Sequence, residues 1–395
     1  MIEKFLAAIL ILLPRLSGID RLLWKDEILY LKTLNVNILE NPLFFGVTTN
    51  LPLFFYTLRI LGLGLSEWIY RLIPLTFSLL GGLVAFNFIK KEFNVFSAWA
   101  FIILYAFSPL QIYYAQELRP YTLLQLLLIL NLIYLFKVCK YKNGLSQLIL
   151  FSFLIVLTHY SGYFFLLAEL AILTSIFLFQ SYKKGPRGPT LNLMAVISGA
   201  LLFGLILSLY MMRNPSFSRS IVNLEVGTNW NLLSDPFREL KLFVFRFKEV
   251  LTFYYWYGLY YFTVDPLVQF VYKKLIVVLL VAAAVFYLRV KNIVNRKEFF
   301  FSGVLLLLSL CFTYAAEKFG YFPFGGRHIM PYSFLLYFIF SLFLSSLNKF
   351  RKTGYFLLAI LIVPIVFFDY CTFYKLPKTV IVEKLQGNVF EVCTK

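Results

Sequence analysis

Apolar and polar positions in this chain alternate on the scale of whole segments, not of single residues. Apolar runs fall at 4–17, 72–89, 95–109, 121–138, 145–160, 162–180, 191–211, 273–289, 299–315, 328–346 and 354–370, with polar stretches between them. A helix of about 20 residues spans the roughly 30 Å hydrocarbon core of a bilayer. The pattern therefore predicts an all-α polytopic membrane protein with about 11 transmembrane helices. The first run is short and is interrupted by Pro14-Arg15. No small-x-small cleavage site follows it, so it reads as an uncleaved span and not as a signal peptide.

Residues 51–65 (LPLFFYTLRILGLGL) are also apolar, but the charge pattern argues against a further span there. With the N-terminus cytoplasmic, the alternate connections hold Lys90-Lys91, then Lys137, Lys140 and Lys142, then Lys183, Lys184 and Arg187. The later ones hold Arg289, Lys291, Arg296 and Lys297, then Lys349, Arg351 and Lys352. Including Lys4, these loops carry 16 basic residues against three acids, a net +13; the rest carries 21 against 16, a net +5. That is the positive-inside pattern. A span at 51–65 would invert every later cluster. Residues 26–70 are thus expected to lie along the outer interface as one-faced helices, with Leu31, Leu34 and Ile38 following Ile28 at steps of three and four. Two large segments, 18–71 and 212–272, then lie outside, with a short extracytoplasmic tail at 371–395.

Composition sharpens this picture. The chain has 395 residues, of which 61% are hydrophobic and only 14% charged, against about a quarter charged in soluble domains. A soluble enzyme, a disordered chain and a disulfide scaffold are excluded. The net charge of +18 is dispersed over short loops, which speaks for orientation in a membrane and not for nucleic acid. Cys371 and Cys393 share the tail and read either as a pair or as free thiols. FYYWYGLYYF (253–262) reads either as an aromatic belt or as a wall for a sugar or isoprenoid. Glu169 stands inside an apolar run without an obvious partner.

Four polar clusters fall on the expected outer face. Asp26-Glu27 opens an interfacial helix, as a simple cap or as working carboxylates. In SPLQIYYAQELRPY (108–121), Glu117 and Arg119 either pair with each other or position a phosphate, with Glu117 orienting the guanidinium. His159-Tyr160 ends a run in LTHYSGYF, and FPFGGRHIMP (322–331) places Arg327-His328 at the mouth of another. Two histidines cannot make a multi-His metal site, although one His with carboxylates leaves a divalent metal open. No Walker loop, Rossmann turn or zinc-protease motif is present. One extracytoplasmic site at the membrane interface, taking an amphipathic phosphate-linked lipid, unites the four clusters.

RLSGIDRLLWKDEILY resembles the opening of the bacterial and archaeal family 39 glycosyltransferases, the group related to protein O-mannosyltransferases and to the aminoarabinose transferase of lipid A. NLPLFFYTLRILGLGLSEWIYRL, SPLQIYYAQELRPYTLL, THYSGYFF and GGRHIMP resemble further segments of that family in the same order, over about 15–335. The resemblance implies a GT-C-type fold in the plasma membrane of a prokaryote, and an inverting transfer of a sugar from a polyprenyl-phosphate donor to a glycan, lipid or protein acceptor. It implies Asp26 as the catalytic carboxylate with Glu27 beside it. Arg119, Glu117, Arg327, Asn50 and Tyr114 fall on the donor phosphate or lipid side, and His159, Tyr160 and His328 on the substrate or a metal. The family's His/Lys-Pro-Pro reads Asn50-Leu51-Pro52 here, so a basic or imidazole group is missing and metal dependence is left open. A flippase or transporter of lipid-linked saccharides is the alternative; it would be expected to carry charged groups through the bilayer and inverted repeats.

Overall fold

The structure is a computed structural model and describes residues 2–16, 19, 27, 28, 30, 31, 34, 51–62, 67–183, 188–212, 296–318, 328 and 330–346. The expected spans 273–289 and 354–370, the 212–272 loop and its aromatic run, the tail with Cys371 and Cys393, and the site candidates Asp26, Asn50 and Arg327 lie outside the described residues.

Every regular element among the described residues is helical. We number them α1 (Ile2–Leu16), α2 (Pro52–Gly62), α3 (Glu67–Tyr70), α4 (Leu72–Glu92), α5 (Val95–Ala106), α6 (Pro109–Ala115), α7 (Tyr121–Tyr141), α8 (Leu145–Val156), α9 (Ser161–Tyr182), α10 (Gly188–Met212), α11 (Arg296–Lys318) and α12 (Ser333–Ser346), the last preceded by a 3-10 turn at Met330–Tyr332. Five stretches are long and apolar enough to cross a bilayer: Leu72–Glu92, Tyr121–Tyr141, Ser161–Tyr182, Thr190–Tyr210 and Lys297–Ala316. The chain is an all-α membrane protein. Residues 52–62 are helical, but 11 residues rise only about 16 Å, half of a hydrocarbon core.

Three expected spans are shorter than their apolar runs. The 95–109 run is helical only to Ala106, because Pro109 disfavours helical backbone at Ser108, which is extended (φ −70°, ψ 120°), and opens α6 instead. The 145–160 run stops at Val156, and the 328–346 run becomes regular helix only from Ser333. Breaks of this kind survive at membrane depth only where protein covers them. Here they are covered, since Ser108, Thr158 and His159 are buried.

The helices close into a ring in the order α4, α7, α8, α10, α9, α11, α12, α5 and back to α4, with α1 packed on α4 and α5. Close approach of α1, α4 and α5 depends on Gly82, where a Cβ would lie 2.6 Å from Ile11 Cδ1 and 2.9 Å from the Tyr105 ring. Arg15 locks the same junction. Its guanidinium donates to the Ala106 carbonyl at 3.0 Å, the Tyr105 carbonyl at 3.0 Å and Ser78 Oγ at 3.1 Å, so it caps the C-terminus of α5 where the ladder ends.

The bundle has two unlike ends. At one, Lys90 meets Glu3, and Glu92 accepts from Lys140 at 2.9 Å and from the Tyr141 hydroxyl at 2.7 Å. At the other lie the C-termini of α1, α5 and α8 and the N-termini of α4, α7 and α9. Between the ends, Glu169 of α9 is fully buried. It has a partner that the sequence did not reveal. With the Asn131 amide oriented by its network, its nitrogen donates to both Glu169 oxygens at 2.8 and 3.1 Å and its carbonyl accepts from Ser152 Oγ at 2.9 Å.

Candidate functional site

The turn 116–120 between α6 and α7 is the frame of the site. It is a non-helical stretch closed by Arg119 N–H to the Glu117 carbonyl at 2.7 Å, and Pro120 then starts α7 through its carbonyl bond to Leu124 N–H at 2.9 Å. Gln116 fastens the turn to α1 by donating to the Arg15 carbonyl at 2.8 Å. The Leu118 N–H fastens it to the segment between α1 and α2, donating to Glu27 Oε1 at 2.9 Å.

Glu27 is fully buried, as is its partner Arg71 just ahead of α4. The guanidinium forks onto the carboxylate, with Nη2 at 2.6 Å from Oε2 and Nε at 3.1 Å from Oε1. Its Nη1 donates to the Ile19 carbonyl at 3.1 Å. This is the bidentate geometry that suits Arg and not Lys. One ion pair thus holds together three parts of the chain: the segment with Ile19 and Glu27, Arg71 ahead of α4, and the 116–120 turn.

Arg119 is 7% exposed and lies over the ring of Tyr30, 5.0 Å from its centroid. Its Nη1 is 3.5 Å from the Tyr30 hydroxyl and its Nε 3.8 Å from Glu117 Oε1. Tyr30 is in turn fixed by stacking on Phe55 (4.8 Å, 17°) and edge contact with Phe54 (5.9 Å), both on α2. The guanidinium is thus carried by Tyr30, which is not one of the residues of the expected apolar face (Ile28, Leu31, Leu34 and Ile38). Burial pushes the Tyr30 hydroxyl well above its ordinary range, although the Arg119 charge pulls it down.

Beyond Arg119 an aromatic chain leads across the end of the ring. Tyr114 meets Tyr121 edge-on at 5.3 Å, Tyr121 meets His159 at 5.3 Å and His328 at 6.4 Å, and the two imidazoles stack at 5.5 Å and 26°. His159 Nδ1 accepts from the Ser161 N–H at 3.1 Å, which places the proton of the neutral ring on Nε2. The Tyr332 hydroxyl donates to the Ser161 carbonyl at 2.5 Å, and Gln125 donates to the Met330 carbonyl at 3.3 Å. These bonds hold the 3-10 turn after His328 against α7 and α9. Tyr160 continues the chain to Tyr163 at 5.8 Å.

Of the sequence candidates, Glu27, Tyr114, Glu117, Arg119, His159, Tyr160 and His328 come together at one end of the bundle. Arg71, Tyr30 and Tyr121 belong to the same assembly and were not singled out from the sequence. The one available signal was the place of Arg71 in SEWIYRL, within a segment on which the family resemblance rests. Among the described residues, no three His, Cys, Asp or Glu side chains gather as a metal site. Compared with known proteins, the chain matches no family model and none of the curated proteins.

Proposed function

We propose that the chain is an inverting membrane glycosyltransferase that takes a sugar from a polyprenyl-phosphate donor and delivers it to a glycan, lipid or protein acceptor on the extracytoplasmic face. Eleven spans with a cytoplasmic N-terminus belong to this reading, because the Lys90 and Lys140 end is the basic one and the 116–120 end is opposite. The observation that carries it is a buried guanidinium, Arg119, held on an aromatic platform in a turn bonded to Glu27, the residue after Asp26.

The chemistry is a single displacement. The acceptor oxygen attacks the anomeric carbon as Asp26 takes its proton, and the bond from that carbon to the phosphate oxygen breaks. Polyprenyl phosphate leaves with the electron pair, and Arg119 balances the charge that develops on it. Tyr121, His159, Tyr160 and His328 stand on the sugar side, while Arg327, Asn50 and Tyr114 complete the donor phosphate and lipid side.

The test is transfer from a panel of labelled polyprenyl-phosphate sugars by purified protein in lipid, wild type beside Asp26→Asn. Release of polyprenyl phosphate that Asp26→Asn abolishes, with insertion unchanged, is the expected result. Glu169, buried between helices with Asn131, is the observation that favours the alternative of a lipid-linked saccharide flippase. Movement of such a lipid across vesicle bilayers, without release of polyprenyl phosphate from any donor, would overturn the transferase reading.

A further inference from the structure

Glu27 lies at the centre of the site's framework, yet its carboxylate is already engaged. Both oxygens take the Arg71 fork and one also takes the Leu118 N–H. An ion pair this deeply buried adds little net stability over apolar side chains of the same volume, because desolvation offsets its attraction. What it does supply is geometry. Arg71 reaches Ile19 and Glu27 from its place directly ahead of α4, and Glu27 reaches the turn that presents Arg119. Ile19, Glu27 and the turn carrying Arg119 are thereby referred to one guanidinium fixed at the helix end.

We propose that Arg71 is a positioning residue which, acting through Glu27, fixes the turn that presents Arg119 relative to the start of α4. This rests on the glycosyl-transfer reading above, in which Asp26 is the base and Arg119 binds the departing phosphate. A displacement expels its leaving group only when base, sugar and phosphate sites are held in register, so slack in the turn that presents Arg119 lowers the rate more than it weakens donor binding.

Arg71→Lys keeps the charge and gives up the fork, and Glu27→Gln keeps an acceptor for the Leu118 N–H and gives up the charge. Purified in lipid, Arg71→Lys should retain a donor KM within about threefold of wild type while kcat falls about 100-fold. Amide exchange over 116–120 should speed up, with exchange within α7 unchanged. Glu27→Gln should lose less kcat than Arg71→Lys and serves as the working variant should Arg71→Lys be recovered unfolded. Asp26→Asn separates the two ideas: it should be inactive with wild-type exchange over 116–120. Wild-type kcat in both variants, or a fall in melting temperature with kcat per folded molecule unchanged, overturns the positioning role. If wild type turns over no donor, the transferase reading has failed by itself. Exchange then decides alone: faster exchange over 116–120 in Arg71→Lys supports the positioning role, and unchanged exchange overturns it.

Discussion

Tyr30 carries the Arg119 guanidinium on its ring, so its own protonation state is part of the site. Burial raises the Tyr30 hydroxyl above its ordinary value of 10.0, and the Arg119 charge offsets only part of that rise. A group that binds its proton more tightly when folded favours the fold below its unfolded value, and loses that contribution as pH rises from about 10 towards the folded value. Thermal melts across pH 8 to 11.5 should therefore fall more steeply above about pH 10 in wild type than in Tyr30→Phe, which keeps the ring face and removes the hydroxyl. Parallel curves would show that the Tyr30 hydroxyl is not coupled to folding. At this scale the sequence was legible where chemistry is local. Adjacent Glu117 and Arg119 were visible as a pair, and they do sit 3.8 Å apart. Tyr30 and Arg71 were not visible, since their partners lie 89 and 44 residues away. Glu169 shows the same limit, because Asn131 faces it only after α7 and α9 pack into the ring.

Helix ends matter more than helix middles for this site. The α8–α9 turn carries His159 and is tight because Gly162 has no side chain: a Cβ there would lie 2.4 Å from Ile155 Cγ2 and 3.1 Å from the Ile155 carbonyl oxygen. Backbone cannot yield as a flexible side chain can. Gly162→Ala should cost on the order of 1–3 kcal/mol of stability, read as a lower melting temperature in lipid. It should also shift the His159 and Tyr160 end of the turn, which is tied to α2 by the Leu53 N–H to Leu157 carbonyl bond at 3.1 Å. An alanine variant with wild-type stability would mean the turn is looser than its contacts imply. Apolar runs predicted where these helices lie, yet overshot the ends at Ala106 and Val156. Hydrophobicity continues through a buried turn, so it cannot mark where the backbone ladder stops. Pro109 is the signal that the 95–109 run passed over, since it disfavours helix at the residue before it.

For the whole molecule, two unlike ends of one helical ring make a sidedness prediction. Reporter fusions ending within 110–120 should report the extracytoplasmic side, and fusions ending at Lys142 or Lys183 the cytoplasmic side. A cytoplasmic report from 110–120 would remove the site from the face that the glycosyl-transfer reading requires. The all-α membrane class followed from sequence alone, because long apolar segments with so few charges have no other way to satisfy their backbone. The basic loops propose an orientation, since charge bias is read loop by loop, and the sidedness experiment tests it. Only the tertiary structure decided which polar groups meet. The fork of Arg71 on Glu27, the seat of Arg119 on Tyr30 and the stacking of His159 on His328 each join distant segments. Such contacts depend on the order in which helices close the ring, and a linear pattern that repeats the same apolar run many times does not encode that order in any local signal.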